Sequence, residues 1–188
     1  MKYPIFMDKK ITPSSIFEAV SNLDEDSFPP VHLWNPPLCD NVDIRINRDA
    51  KWFFMNSPIG RERMVKLFSR VLRLDEDGIY YLVTPVEKIK LEVEDKPFLI
   101  IDFSIEGSGR HQKIYLTTNT YEEFLVGKDH PIRIEVNKQT QEPAPYALVR
   151  SNLEGLLSRN TFYKLIDITT ENDSDMGLWS DGEFFKFS

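Results

Sequence analysis

The fold is decided by residues 43–55, which read DIRINRDAKWFFM. Within them, Ile44 and Ile46 alternate with charged residues, a polar segment occupies positions 47–50, and an aromatic run begins at Trp52. Two runs with the composition of strands around a short polar segment predict a β-hairpin. A short helix and a strand led by aromatic residues are predicted to follow it.

This order of elements occurs twice, over residues 43–85 and, more loosely, over residues 131–169. A repeated supersecondary unit indicates how a core is assembled. We therefore predict an α+β fold in which two related β-hairpin/helix/strand repeats pack as one compact unit with antiparallel sheet. The predicted boundaries are 1–30 for an N-terminal helix and arm, 31–95 for the first repeat and 96–188 for the second.

Three helices are predicted from their capping residues and apolar spacing. The first starts at the Thr12-Pro13 pair, with Thr12 as N-cap, and includes Leu23 in its apolar face. An acidic, proline-rich stretch over residues 24–37 then breaks regular structure. The other two helices are predicted over residues 60–74, starting after Ser57-Pro58, and from Ser151 to about Arg159.

Apolar alternation predicts an antiparallel meander between the helices. A turn at Pro143 and Pro145 and a closing hairpin at Asp181-Gly182 complete the expected elements. The predicted strands cover residues 79–84, 88–94, 97–106, 111–118, 132–134, 146–149 and 162–168.

Composition narrows the class of protein. The chain has 188 residues, 41% of them hydrophobic, and can bury a core of its own. A single cysteine, Cys39, excludes an intramolecular disulfide and favours a reducing compartment. A net charge of −7 argues against general binding of nucleic acid. No long apolar segment indicates a leader or a membrane span, so we expect a cytoplasmic protein without membrane contact.

No motif indicates catalysis or a metal. His32, His111 and His130 lie far apart, and no nucleophile-elbow pattern occurs. The Gly107-Ser108-Gly109 run is followed by a strand pattern, although a phosphate-binding loop requires a helix there. We therefore predict no catalytic residue, no metal site and no cofactor.

The best candidate for ligand binding is the run Ser57-Pro58-Ile59-Gly60-Arg61. A helix N-terminus offers unpaired amide donors, glycine permits close approach, and arginine binds carboxylates and phosphates bidentately. Arg45 and Trp34 are assigned to the same candidate anion site. Arg45, like Arg133, could line a groove between the halves or pair with acidic residues, and Trp34 could wall a pocket or lie in the core. Ordinary capping by Ser57 is the alternative.

A basic helix face is the second candidate, for an acidic protein partner. It is opposite the apolar face of the helix predicted over residues 60–74. A solvated helix surface is the alternative. The face consists of Arg63, Lys66, Arg70 and Arg73.

Several short runs distributed along the chain carry a family resemblance. They are residues 33–37, 43–46, 52–53, 57–61, 75–78, 80–88, 142–146 and 178–182. Together they resemble the DUF1285 family of bacterial proteins, from about Pro30 to Phe187. The resemblance implies a compact α+β fold of two related repeats and a role in signal transduction or ligand sensing, and it implies no catalytic residue. The chain departs from the family pattern at Ala50, where a turn glycine is expected.

Three hypotheses follow from these observations. The first is a non-enzymatic module that binds a small anionic ligand or an acidic protein through residues 57–61 and the basic face. The second is an enzyme with dispersed carboxylates and Arg or Lys residues in a groove between the repeats. The third is a structural adaptor that docks another protein.

Overall fold

The computed structural model describes residues 11–21, 28–136, 138 and 141–187. The chain divides into two compact units, Met1–Ile44 with Phe53–Glu92 and Arg45–Trp52 with Val93–Ser188. The predicted α+β class is confirmed, with sheet dominated by antiparallel pairs. The internal repeat and the packing of the repeats as one unit stay predictions.

The described residues form three α-helices and fifteen strands. The helices are α1 (Pro13–Val20), α2 (Glu62–Arg70) and α3 (Arg159–Ile166), and 3₁₀ turns occupy Val31–Leu33 and Gly109–His111. The strands are β1 (Leu38–Ile46), β2 (Trp52–Phe54), β3 (Ser57–Pro58), β4 (Leu72–Leu74), β5 (Tyr80–Val83), β6 (Lys88–Val93), β7 (Phe98–Glu106), β8 (Lys113–Thr118), β9 (Glu123–Leu125), β10 (Ile132–Val136), β11 (Pro143–Arg150), β12 (Leu153–Leu157), β13 (Thr170–Asn172), β14 (Asp175–Ser180) and β15 (Glu183–Lys186).

Three sheets collect these strands, in the orders β3-β2-β1-β6-β5-β4, β10-β11-β12-β7-β8-β9 and β13-β14-β15. The predicted hairpins β5–β6 and β7–β8 are present and antiparallel. The continuous meander is wrong, because β6 and β7 belong to different sheets. In the second sheet β12 pairs with β7 in parallel.

Helix α1 starts as predicted. The Thr12 hydroxyl accepts from the Ser15 N–H at 3.1 Å, the Ser15 hydroxyl accepts from the Thr12 N–H at 2.9 Å, and a proline follows the cap. Both ends of this capping box satisfy amides that the helix itself leaves open. Ile16 and Val20 are buried. Leu23 and residues 24–27 lie outside the described residues.

Helix α2 is shorter at both ends than predicted, and Ser57 is not its cap. Ser57 and Pro58 lie in β3, where they pair with Phe54 and Phe53 of β2. The turn between these strands has positive φ at both Met55 (46°) and Asn56 (64°). Such a two-residue turn needs left-handed residues, and the absence of glycine there hid the hairpin in the sequence.

The segment 151–168 has its helix and strand exchanged relative to the prediction. Residues 153–157 form β12, and α3 follows, capped by Ser158, whose hydroxyl accepts from the Thr161 N–H at 3.2 Å. Gly155 decides this outcome, because a Cβ there would lie 2.9 Å from Cδ1 of Ile100 on β7. The glycine lets β12 lie close to β7 as a strand.

Two turns complete the comparison with the sequence. The closing hairpin β14–β15 is confirmed, with positive φ at Asp181 (50°) and Gly182 (82°). The turn predicted at Pro143 and Pro145 is wrong, because both residues lie in β11. In the antiparallel pair β10–β11, Pro143 lies opposite Val136 and Pro145 lies opposite Ile134.

Candidate functional site

The described residues of the first unit form a groove between α1 and α2, which we call the α1–α2 groove. Its volume is about 440 Å³. Arg61 and Arg63 contribute the positive charge, and both are exposed. The described residues that line it are Ser14, Phe17, Glu18, Arg61, Arg63 and Met64.

Arg61 occupies the N-cap position of α2, and its side chain makes no capping hydrogen bond. Its carbonyl oxygen accepts from the N–H groups of Met64 at 2.9 Å and Val65 at 3.1 Å. The N-cap side chain therefore does not satisfy the first amides of the helix. Those amides carry the positive end of the helix dipole, so this end favours an anion. Glu62 already supplies one carboxylate in the first turn.

The groove also has an apolar component. Met64 is buried and Phe17 is half-buried. Glu18 is the one carboxylate among the described lining residues, alongside the two arginines. A groove with this lining suits a ligand that joins an acidic group to an apolar body.

The structure separates most of the sequence-predicted anion site from this groove. Ser57 and Gly60 are exposed and lie outside its described lining, and an added Cβ at Gly60 would meet nothing within 4 Å. Trp34 lies after the first 3₁₀ turn, half-buried, and Arg45 lies on β1 and belongs to the second unit. Of the predicted site, Arg61 alone contributes to the described lining.

The predicted basic face loses one member. Arg63, Lys66 and Arg70 lie on α2, and the Arg70 guanidinium is 5.8 Å from the centre of the Phe28 ring. Arg73 lies beyond the helix end, on β4. Partner binding by the three remaining residues stays a prediction.

Arg73 belongs to a charged cluster in the first unit, the Asp75 cluster, defined by Arg73, Asp75, Lys88 and Tyr81. Arg73 donates to the Asp75 carboxylate at 2.5 and 3.1 Å, and Lys88 donates to it at 2.6 Å. The Lys88 ammonium also lies 3.7 Å from the centre of the Tyr81 ring. Burial raises the pKa of Asp75, but these hydrogen bonds outweigh it, and the net pKa is lowered.

The same arginine holds a loop in place. The Arg73 Nη1 donates to the carbonyl oxygens of Val31 at 2.8 Å and Trp34 at 2.7 Å. Both carbonyls lie in the segment before β1 that contains four prolines between residues 29 and 37. An Arg73 that is engaged in this way anchors the loop and is not presented to a partner.

A second cluster, the Glu154 cluster, lies in the second unit and consists of Arg133, Glu154, Lys96 and Tyr146. Arg133 donates to Glu154 at 2.6 and 2.8 Å, and Lys96 pairs with it at 2.6 Å. The hydrogen bond from Arg133 is the main reason why the pKa of Glu154 falls to about 2. Arg133 also contacts Glu135, and its own pKa is raised, chiefly by Glu154.

Tyr146 connects this cluster to a neighbouring ion pair. Its ring centre lies 4.8 Å from the Arg133 guanidinium and 5.1 Å from the Lys96 ammonium. Its hydroxyl donates to Asp95 at 3.0 Å, and Asp95 pairs with Arg48 at 3.3 Å. Burial, and then the Asp95 charge, raises the pKa of Tyr146 to about 12.

Sequence reasoning located neither cluster, although pairing of Arg133 with acidic residues was one of its alternatives. In each, an arginine stands directly across an antiparallel pair from a tyrosine, Arg73 opposite Tyr81 and Arg133 opposite Tyr146. Such pairs are set by strand register, which the sequence did not define. The central carboxylates of the two clusters, Asp75 and Glu154, are each bonded to an arginine and a lysine. Both therefore act as anions fixed in salt bridges.

Metal ligands and membrane spans were also sought. In residues 11–21, 28–136, 138 and 141–187, no three His, Cys, Asp or Glu side chains are grouped to hold a metal ion. Within these same ranges, every helix is too short or too polar to cross a membrane. His130 lies against the carbonyl of Leu148, with 3.1 Å between Nδ1 and the oxygen.

Family models account for nearly the whole chain. Residues 29–96 match the N-terminal domain described as a domain of unknown function, DUF1285. Residues 97–187 match the C-terminal domain of the same family, described as a protein of unknown function. The comparison with curated proteins gives no match.

Two crystal structures are similar to this chain. A DUF1285 family protein from Silicibacter pomeroyi DSS-3 has 42% identity and a TM-score of 0.82, over 91% of this chain and 93% of that one. A DUF1285 family protein from Shewanella baltica OS155 has 26% identity and a TM-score of 0.52, over 66% of this chain and 90% of that one. With both family models matched in sequence order, the chain belongs to the DUF1285 family.

Proposed function

We propose that this protein is a non-enzymatic, cytoplasmic binding module that takes an anionic ligand in the α1–α2 groove. The observation that carries the proposal is the meeting of Arg61 and Arg63 with Phe17 and Met64 in one groove of about 440 Å³. The groove thereby combines the arginine of the predicted anion site with one from the predicted basic face. A role in signal transduction would follow if ligand binding changed what the module contacts.

The chemistry of the groove limits the ligand. Two guanidinium groups favour a carboxylate or a phosphate, and the positive end of the α2 dipole acts in the same direction. Phe17 and Met64 favour an apolar portion next to the charged group. An alkyl or aromatic carboxylate or phosphate meets both conditions.

The test is a thermal-unfolding screen with octanoate, octyl phosphate, inorganic phosphate and nucleotides. A ligand at a hundred times its dissociation constant stabilises the folded state by about 2.7 kcal/mol. We expect octyl phosphate to give the largest shift and inorganic phosphate a small one. Equal shifts for both would contradict the apolar part of the site.

Three variants locate the binding. Because each variant loses a charged hydrogen bond, we expect Arg61→Ala and Arg63→Ala to bind the ligand with about one tenth of the wild-type affinity or less. Glu18→Gln removes a like charge from the rim and should raise the affinity severalfold. Lys66→Ala is the matched control, an exposed cation of α2 outside the described lining. A folded Arg61→Ala protein with unchanged affinity, or an equal loss in Lys66→Ala, would overturn the proposal.

A further inference from the structure

Part of β7 lies at an open edge of the second sheet. On one side β7 pairs with β8 over nearly its full length, from Ile100 to Glu106. On the other side its partner β12 pairs only with Phe98–Ile100 and ends at Leu157. The Ser158 N–H makes a last bond to the Ile100 carbonyl at 2.9 Å, and the chain then turns into α3. Among the described strands, β8 alone lies beside residues 102–106.

The direction of the backbone groups on this segment follows from β8. The Ile114 carbonyl accepts from Val126 and the Thr118 N–H donates to Glu122, so alternate residues of β8 face away from β7. The other residues of β8 must then bond to β7, because antiparallel bonding alternates. They are Lys113, Tyr115 and Thr117, which lie opposite Glu106, Ser104 and Asp102.

It follows that Phe103 and Ile105 point their N–H and C=O groups toward the open edge. Among the described residues, neither backbone takes part in a hydrogen bond outside the β7–β8 ladder. Two donors and two acceptors are therefore available to one added strand. A strand of five residues spans about 17 Å, enough to engage all four groups.

Side chains along this edge are suited to a partner. Ile101 is 38% exposed and Ile105 39% exposed, and Asp102, Ser104 and Glu106 are exposed. Natural edge strands are protected by short length, proline or charge. Two other edges of the described sheets show this protection, since β3 has two residues with Pro58, and β9 has three.

We propose that residues 102–106 of β7 form a docking edge for an extended segment of a partner protein in which basic and apolar side chains alternate. Backbone bonds to Phe103 and Ile105 hold the segment as an added strand, as in β-augmentation. Its basic side chains face Asp102 and Glu106, and its apolar side chains lie beside Phe103 and Ile105.

Charge selects a basic partner over a second copy of this chain. The protein carries a net charge of −7, so two copies repel each other. In a two-fold pairing centred on Ser104, Asp102 would lie opposite Glu106 of the other copy, and like charges directly opposite are destabilising. Lys113 lies opposite Glu106 on β8 and Tyr115 contacts the same carboxylate at 3.5 Å, so Asp102 is the stronger determinant.

The experiment measures binding of a fluorescent six-residue peptide of alternating lysine and valine to the full chain by anisotropy at low salt. Two further peptides test the mode of binding. One peptide has glutamate in place of lysine. The other carries N-methyl groups on the backbone amides along one edge of the peptide strand. We expect the glutamate and N-methylated peptides to bind at least about tenfold more weakly than the parent peptide.

Protein variants test the location. Asp102→Lys should weaken binding of the lysine peptide about tenfold and strengthen binding of the glutamate peptide, because the electrostatic complementarity is reversed. Ile105→Pro removes an outward N–H that the β7–β8 ladder does not use, and it should abolish binding. Glu123→Lys on β9 is the matched control at the opposite edge of the sheet, and it should change affinity less than about twofold.

Several outcomes would overturn the proposal. The first is that the lysine peptide does not bind at concentrations up to about 1 mM. The second is that the N-methylated peptide binds as tightly as the parent peptide, and the third is that Glu123→Lys weakens binding as much as Asp102→Lys does. Asp102→Lys keeps the test decisive if Ile105→Pro fails to fold, because position 102 is exposed. Sedimentation could instead detect a dimer of the chain. If Asp102→Lys strengthened that dimer or Ile105→Pro dissociated it, the edge would bind a second copy, and the proposal would be contradicted.

Discussion

The Asp75 cluster and the Glu154 cluster use the same chemistry in the two units. In each, one carboxylate accepts from an arginine and a lysine, and a cation lies over a tyrosine ring. In each, the tyrosine hydroxyl donates to a further aspartate, Asp77 or Asp95. The clusters differ in what else the arginine holds.

Arg73 is bonded to two backbone carbonyls of a loop, whereas the remaining described contact of Arg133 is the exposed carboxylate of Glu135. The Arg73 side chain is also less exposed, at 17% against 40% for Arg133. Similar ion pairs therefore differ in structural consequence. The first organises backbone, and the second joins side chains on a sheet surface.

The largest expected effect is the difference between Arg73→Met and Arg133→Met. Removing Arg73 takes away the donor to the Trp34 carbonyl. It also removes one of the two donors to the Val31 carbonyl and one of the two cations on Asp75, and we expect a loss of about 3 kcal/mol. Arg133→Met should cost about 1 kcal/mol, since solvent replaces part of its contacts. Urea unfolding measures both losses. Hydrogen exchange should show lost protection near residues 31–34 in Arg73→Met alone, and equal losses in the two variants would end the distinction.

The pH dependence of Glu154→Gln gives the next effect. The folded-state pKa of Glu154 is about 2, below the ordinary 4.5, so its contribution is present above pH 4.5 and is lost as pH falls toward 2. After allowance for solvent screening, we expect the wild type to exceed Glu154→Gln by about 2 kcal/mol at pH 7. The gap should narrow between these two pH values. A gap independent of pH would show that charge is not its cause.

Asp75→Asn provides the comparison in the first unit. Its pKa is also lowered, so its contribution has the same sign and is likewise lost in acid. Because Arg73 keeps its carbonyl partners when Asp75 is neutral, the loop should stay protected from hydrogen exchange. Loss of that protection would make the carboxylate, and not the arginine, the anchor.

Local signals made part of this fold predictable. Thr12 with Pro13 located the start of α1, and Asp181-Gly182 located a hairpin, because both act within a few residues. The strand β6 was predictable from strict alternation of apolar and charged residues. Long-range pairing was not predictable, and it decided which sheet each strand joined.

The errors have physical causes in particular residues. Leu153, Leu156 and Leu157 fit a helical spacing, but Gly155 allows close approach to Ile100, and the segment becomes a strand. Both arginines in the described lining of the groove, Arg61 and Arg63, were proposed from residue type and position, Arg61 for anion binding and Arg63 for partner binding. Phe17 of the groove was not proposed as a site residue, because the sequence does not show that α1 packs against α2.

Tyrosine variants sharpen the comparison with a smaller effect. Tyr146→Phe should cost about 1 kcal/mol, because it removes a donor from a shielded Asp95, and Tyr81→Phe should cost about half as much because Asp77 is exposed. The raised pKa of Tyr146, about 12 against 10, means that its contribution is complete below pH 10 and is lost as pH rises toward 12. Alkaline unfolding should therefore show the wild type approaching Tyr146→Phe, and parallel curves would contradict this.

The smallest expected effect compares one hairpin turn from each unit. Asp181-Gly182 has glycine at its second left-handed position, whereas Met55-Asn56 has none, and Met55 is 57% exposed. A left-handed L-residue costs about 1 kcal/mol, and glycine avoids that cost but loses more chain entropy on folding. Met55→Gly should therefore stabilise the first unit by about 0.5 kcal/mol. Ala50→Gly is the control, since its φ is also positive (55°) but its methyl is buried and its loss cancels the gain. If thermal unfolding showed equal gains for both, buried methyl contacts would not explain why alanine is accommodated at position 50.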